Sequence, residues 1–493
     1  MRAIAAVAIA VLLGGTAIAA PLRIGIGPLP PAIGNPYTGV GLPPGDLWAN
    51  IFDGLTRLDD AGHLQPALAL SWTAETPTRW VFKLRPGVRF HDGTPFSAAD
   101  VAATIALLRG PAAGTIVATE VRGITDVKVL DDLKIAFTTA TPDATLPNRF
   151  NLIAIQSASR LEESGWETMV RSPVGTGPYA VTATTPATVS LAARGSWRTA
   201  KTERIEVQAI PNPTARVQAL LSKQVDLIQS VSPDALGQLR EQGFKVVVTP
   251  QAQVLSVALP NMALGPLQDA RVRRALNLAI DRHAIADGIF AGTVSPANQG
   301  ATPGVNGYNE TLPELAFDPA AARRLLAEAG YADGFELSIF LVEGTGGDTQ
   351  VAFEQVSQYL VRIGVRVRLQ LVPIGVFTRR YATAAWNSGE AFSMLWNSAP
   401  IGDVARPLET FSCLRPNPFF CDEPTAKLIA ASASDLDPAR RTRELRAIMG
   451  NLRDIAPAIW ITSNSVITAM RPEIQGFHQQ PAGSAWENLT VAP

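Results

Sequence analysis

Phe52 to Asp100 reads FDGLTRLDDAGHLQPALALSWTAETPTRWVFKLRPGVRFHDGTPFSAAD. A short apolar run leads to a turn, a strand-like run, a second turn and a helix start. Trp80, Phe82 and Leu84 alternate with Val81, Lys83 and Arg85, the period of two expected of a half-buried strand. Pro86-Gly87 breaks the run. Val88 and Phe90 resume it, and Asp92-Gly93 supplies a tight turn because glycine tolerates positive φ. Ser97-Ala98-Ala99-Asp100 then opens a helix: the Ser97 hydroxyl can accept an orphan N–H of the first turn, and Asp100 sets negative charge at the positive helix end. His91 invites a catalytic or metal reading. It sits beside the turn with no partner histidine nearby in sequence, and we read it as structural.

Working outward, the N-terminus sets the compartment. Arg2 precedes the apolar run Ile4 to Leu13, and small residues end at Ala17-Ile18-Ala19. That is the pattern of a signal peptide, residues 1–19, cut after Ala19. The apolar run is shorter than the roughly 20 residues of a membrane span. No cysteine follows the cut, so no lipid anchor is expected, and the mature protein is expected to be soluble and exported.

Composition narrows the class. The 493 residues carry Lys+Arg 42 against Asp+Glu 43, and only 17% are charged. Such a balance argues against nucleic acid as the main partner, which would favour a basic field. A hydrophobic content of 47% suits a large core, and the length implies two or more domains. The only two cysteines, Cys413 and Cys421, lie eight positions apart. In an exported chain they read as a disulfide. The competing metal pair lacks further ligands, since His63, His91, His283 and His478 all lie far off in sequence. There is no G-x-S-x-G, H-E-x-x-H, C-x-x-C or G-x-x-x-x-G-K-[ST], so no enzyme chemistry is expected.

Further segments follow in order. Ser172 to Tyr179 is SPVGTGPY, a turn that lacks the later glycine and lysine of a nucleotide loop. Asn212 to Ile228 reads as helix then strand. Asp269 caps a helix with Val272, Leu276 and Ala279 on one apolar stripe, and the Arg271, Arg273 and Arg274 cluster reads as its solvated face. Phe317 to Tyr331 holds a helix capped by Asp318, with Pro319 in its first turn and Gly330 at its end. Strands at Phe335 to Val342 and Val365 to Val372 flank a helical segment near Phe353 to Arg362, the alternation of an α/β lobe with a mixed sheet.

Asp53-Gly54-Leu55, Pro66 to Trp72, Trp80 to Val88, Phe90 to Val101 and SPVGTGPY together resemble the signature of the extracellular solute-binding proteins of family 5, which serve peptide, nickel and related ABC importers. The resemblance implies an α/β periplasmic binding protein fold of two lobes around a cleft (class II, large type). It implies lobe one at 20–257 with an extra subdomain near 36–183, lobe two at 258–465, and a return to lobe one at 466–493. The chain would cross between lobes near Val254 to Pro260 and Thr462 to Arg471. The implied function is a periplasmic receptor, a monomer without cofactor, that closes on a peptide-like or other small polar solute. It would hand that solute to inner-membrane permease subunits with their ATPases. A local disulfide near Cys413 and Cys421 also occurs in relatives. An opine, a sugar or a metal chelate as ligand, or a chaperone or sensor role, is the alternative.

The ligand-binding segment of peptide-binding relatives runs Trp-x-x-Asp, its aspartate holding the ligand's α-amine, since a buried ammonium needs a carboxylate. Here Phe392 to Asp403 is FSMLWNSAPIGD, and the aspartate position reads Ala399. Trp396 is expected as a ligand-facing platform or as core packing at the end of the strand Ala391 to Leu395. Asn397 follows. Asp403 and Arg406 could hold a zwitterion or pair with each other. Asn35 and Tyr37, after a first strand at Leu22 to Ile26, are candidates from lobe one or a surface loop.

Overall fold

A computed structural model describes residues 20–39, 44–112, 114–344, 346–480 and 483–492. The expected signal peptide lies outside them. A ten-stranded mixed sheet runs through the molecule in the order Arg366–Val372, Glu336–Val342, Glu390–Asn397, Lys245–Ala258, Ala458–Met470, Leu227–Ile228, Leu22–Ile26, Arg204–Ala209, Thr188–Ala193 and Tyr179–Thr184. Two of its middle strands are the longest. They pair antiparallel from Lys245↔Met470 to Ala258↔Ala458.

The register of that pair slips between Gln251 and Val254, and again between Leu255 and Ser256. Before the first slip the strand from Lys245 has only Ala458–Met470 beside it. From Gln253 it also takes Glu390–Asn397 as a partner, with Gln253↔Asn397 and Val254↔Trp396. Bulges bend a strand and raise its twist. Here they fall where Glu390–Asn397 joins the pair as a third strand.

Lobe one buries a core of Ile24, Trp48, Phe82, Phe137, Phe150 and Trp486, among others. A four-stranded antiparallel sheet packs on it in the order Ala69–Thr76, Arg79–Leu84, Lys134–Thr139, Ile124–Asp131. The alternation at Trp80 to Leu84 is a strand, Arg79–Leu84, with Val81 buried as well as the expected Trp80, Phe82 and Leu84. The helix after it, Ala98–Arg109, begins as the sequence indicates. Its cap works through the carboxylate: Asp100 accepts the Ser97 N–H at 2.7 Å, and its other oxygen takes the Ala158 N–H at the start of the later helix Ala158–Ser164 at 2.8 Å.

His91 and SPVGTGPY form one structural unit. The Gly175 N–H donates to His91 Nδ1 (3.2 Å), so His91 Nε2–H donates to the Gly177 carbonyl (2.9 Å). Burial lowers the pKa of this imidazole and keeps it neutral. A Cβ at Gly175 would lie 2.0 Å from the Ile51 carbonyl oxygen, so only glycine lets the turn approach. Asp53 is buried beside it, held by Arg198 (2.7 Å), Thr176 (2.9 Å) and the Trp197 indole (3.0 Å). The family signature is thus a set of packing and hydrogen-bond constraints.

Lobe two covers both faces of its half of the sheet. One face buries Leu276, Phe353 and Leu360, the other Trp396, Phe411, Phe419 and Met449. Cys413 and Cys421 are joined by a disulfide. The arginine cluster corrects the sequence reading at one member. Arg271 is exposed against Asp269, but Arg273 is buried and donates to the carbonyls of Leu267, Gln268, Ile455 and Ala456. It lies one position off the apolar stripe, and its long side chain reaches those chain ends. Among the described residues no helix is long and apolar enough to cross a membrane.

Candidate functional site

The loop Ser398 to Asp403 leaves the end of the strand Glu390–Asn397, meets lobe one, and lines one of two cavities through Gly402 and Asp403. The larger, about 600 Å³, is walled by both lobes: His63, Trp72, Trp80 and Asn148 on one side, Asn306, Tyr308, Asp403 and Arg446 on the other. That volume lies within the range of small-molecule sites. The smaller, about 110 Å³, lies in the wall of lobe one beside Pro36, Gly39, Asn151 and Ser484. Asn148 Nδ2 donates to the Ile401 carbonyl and Asn151 Nδ2 to the Pro400 carbonyl, both at 2.8 Å. Asn148 lines the larger cavity and Asn151 the smaller. Gly402 permits the approach: a Cβ there would lie 2.6 Å from the Gly62 carbonyl oxygen.

The residues singled out from sequence fall into different places. Trp396 is fully buried, stacked on Phe411 (centroids 4.2 Å) and edge-on to Trp460 (5.7 Å). Gly300 makes room for it, since a Cβ there would sit 2.3 Å from the indole. Its Nε1 and that of Trp460 have no hydrogen-bond partner among the described residues. Asn397 is half-buried, and its Oδ1 accepts the Ala399 N–H (3.2 Å). Ala399 itself is 2% exposed. Asn35 Oδ1 accepts the Tyr37 N–H (3.3 Å); Tyr37 is in the core, its hydroxyl on the Ala154 carbonyl (2.5 Å) and its ring against Trp166. Burial raises the pKa of that phenol and keeps it neutral.

Asp403 lines the larger cavity. It is 2% exposed and meets Arg441 in a bidentate ion pair (2.6 and 3.0 Å), with Asn306 Nδ2 at 2.8 Å. Burial alone would lower the Arg441 pKa; the Asp403 charge and hydrogen bond outweigh it and raise it. Asp403 and Arg406 do not pair with each other. Arg406 points across the cleft, its Nε 3.4 Å from Glu120 of lobe one.

Glu120 belongs to a network that sequence reasoning missed. Arg149 holds Glu120 (2.8 Å) and Asp143 (3.0 Å) within lobe one and Glu409 of lobe two (2.8 Å). Burial would lower the Arg149 pKa, but Asp143, Glu409 and Glu120 together raise it well above its ordinary value. Glu120, Arg149 and Glu409 sit on short helical elements far apart in the chain, Asp143 on a connection, and no local period marks them. Asp46 is another buried carboxylate. Its Oδ1 accepts from the Ser484 N–H (2.6 Å), the Ser484 hydroxyl (2.7 Å) and Gln479 (3.4 Å); among the described residues its Oδ2 and the nearby Gln229 Oε1 have no partner. Among the described residues no group of three or more His, Cys, Asp or Glu is placed to hold a metal ion.

Residues 63–414 match the model for "Bacterial extracellular solute-binding proteins, family 5 Middle". The chain is 24% identical over 459 residues to "Glutathione-binding protein GsiB" of Escherichia coli O1:K1 / APEC, covering 90% of this chain and 89% of that one. It is 25% identical over 470 residues to a "Dipeptide-binding protein" of Pseudomonas aeruginosa, covering 87% of each. In three dimensions it is similar to the periplasmic binding protein DppA from Helicobacter pylori, solved in complex with the peptide STSA. That match has a TM-score of 0.82 at 20% identity and covers 96% and 98% of the two chains.

Proposed function

Because the chain belongs to the bacterial extracellular solute-binding proteins of family 5, we propose that it is the receptor of an ABC importer, capturing a compact peptide-like solute between its lobes and delivering it to a membrane permease. The observation that carries this reading is the cavity of about 600 Å³ walled by both lobes, which are joined through the two long strands. A ligand touching both walls stabilises the closed form by its differential affinity, and the closed form is what a permease can recognise. The relatives named for glutathione and dipeptides support a short peptide-like ligand. The family's proteins bind substrates rather than transform them, and no residue is proposed as catalytic.

The register slips at Gln251–Ser256 are the hinge on this reading, with lobe one at 20–257 and 466–493, its subdomain near 36–183, and lobe two at 258–465. Asp403 and Arg406 act at the cleft through their partners, and Trp396 supports the loop 398–403 from behind. The protein works as a monomer in the periplasm, exported by residues 1–19, beside permease subunits and their ATPases. Ala399 favours a second reading of the ligand. With no carboxylate at that position, a solute whose amine is blocked or absent, such as an opine, fits as well as a free peptide.

The test is a thermal-shift screen of dipeptides, glutathione, opines, oligosaccharides and metal chelates, with mass spectrometry of any solute that co-purifies. A ligand that binds only the folded form at 100 times its Kd stabilises by about 2.7 kcal/mol. A shift confined to one small-solute class supports the reading and names the class. Binding of unfolded polypeptide alone, with no small solute active, would overturn it in favour of a chaperone role.

A further inference from the structure

The two lobes touch through their own charges. The contacts run in series from one lobe to the other and back: Arg406 of lobe two to Glu120 of lobe one (3.4 Å), Glu120 to Arg149 (2.8 Å), and Arg149 to Glu409 of lobe two (2.8 Å). Arg406 and Glu409 stand one turn apart on the short helix Ala405–Thr410, so one small element carries both lobe-two charges. Glu120 offers one oxygen to its own lobe and the other across the cleft. Asp143 fixes the remaining side of Arg149 at 3.0 Å, so the guanidinium is already oriented before lobe two arrives. The bonds Asn148→Ile401, Asn151→Pro400 and Ala144 N–H→Ala433 carbonyl (2.9 Å) also join the lobes.

We propose that Arg149, preset by Glu120 and Asp143, is the positioning residue of a ligand-independent latch, closing lobe two onto lobe one through Glu409 and Arg406. Four of the five charges are less than a quarter exposed; Glu409 is 39% exposed. Partial burial protects such pairs from screening better than surface pairs, yet each remains worth only a small factor in an equilibrium. The two inter-lobe pairs together shift the open-to-closed ratio by about tenfold. The latch holds whatever the ligand is, so its test needs none.

The experiment measures inter-lobe distance in protein stripped of ligand by unfolding and refolding. Spin labels go at Lys128→Cys on lobe one and Lys427→Cys on lobe two, both exposed. The unlatched form is Arg406→Gln with Glu409→Gln; both substitutions lie on lobe two and leave the lobe-one network of Arg149, Glu120 and Asp143 in place. Glu336→Gln, which breaks the exposed Arg368 pair inside lobe two (3.4 Å), is the control for lost charge. Melting curves confirm that all forms fold. The expected result is a dominant short distance in the parent protein and the control. The double variant adds a longer distance, its open-to-closed ratio raised about tenfold, and about 1 M NaCl moves the parent part of the way. A long distance in the unliganded parent, or one distribution shared by parent and double variant, overturns the latch. Either outcome leaves the importer reading to its own ligand screen.

Discussion

Replacing Asp46 by asparagine should make this protein more stable at neutral pH. The carboxyl is 1% exposed. Burial raises its pKa to about 6 from 3.8, and the bonds from Ser484 and Gln479 only partly oppose that. The folded state therefore holds the proton more tightly than the unfolded chain does. The group's contribution is fully present below 3.8 and is lost as pH rises through about 6. A shift of that size, at 1.36 kcal/mol per unit, amounts to about 3 kcal/mol lost by about pH 7.5. An asparagine amide there keeps the oxygen that accepts from Ser484 and carries no charge to desolvate. Urea unfolding of both forms at about pH 4 and about pH 7.5 measures the difference. Asp46→Asn should match the parent within about 0.5 kcal/mol at the lower pH and exceed it by about 1–3 kcal/mol at the higher. A variant that is less stable at the higher pH, or a difference that does not change with pH, would show that the carboxylate is well accommodated as an anion and refute the reasoning.

Two further substitutions test the cleft's supports. Asp403→Ala leaves the buried Arg441 guanidinium without its bidentate partner, and should cost about 3–5 kcal/mol in urea unfolding; Arg441→Leu in the same chain should recover most of it. A cost below about 1 kcal/mol would mean that the pair is solvated. Gly300→Ala drives a methyl group to 2.3 Å from the Trp396 indole and should cost about 1–3 kcal/mol, with a change in tryptophan fluorescence as the ring shifts off Phe411; unchanged melting and emission would sink that account.

What could be read from the chain was local. The strand Arg79–Leu84, the helix Ala98–Arg109 and the capped helix Pro319–Glu328 all follow from periods and caps within a few residues. The strand Leu22–Ile26 falls where the sequence puts it. Where a side chain points at the end of a strand is not local. Trp396 goes into the core because Gly300, about a hundred positions earlier, leaves space for an indole, and nothing in FSMLWNSAPIGD encodes that. Asp403 and Arg406 are three positions apart and invite pairing on paper. The turn at Gly402 sends one inward to Arg441, and the helix Ala405–Thr410 carries the other across to Glu120. Both partners are distant in sequence, and no local pattern in the loop points to either.

Ala399 bears on how closure is driven. In this chain the segment after Trp396 offers lobe one two carbonyls, Pro400 and Ile401, to which Asn151 and Asn148 donate, and no carboxylate before Asp403, which is turned to Arg441. A receptor that must be pulled shut by its ligand needs strong ligand contacts in both lobes, and an ammonium–carboxylate pair is one way to supply them. Where binding needs the closed form, its apparent Kd is the intrinsic Kd divided by the fraction of time it spends closed. A receptor whose lobes already meet through Arg149, Glu409, Arg406 and Glu120 loses little to that factor. On the latch reading, the ligand need only be compatible with a closed state the protein forms by itself. Specificity then comes from the shape of the cavity and the polar groups in its walls rather than from a carboxylate at position 399. The ligand-driven and latch-driven routes part in affinity. If the closed form precedes binding, the double variant Arg406→Gln/Glu409→Gln should lose affinity for every ligand by one common factor, read by calorimetric titration, and preference among ligands should not change. A loss that differs from ligand to ligand would mean that these charges touch the solute and that the latch does not act on closure alone.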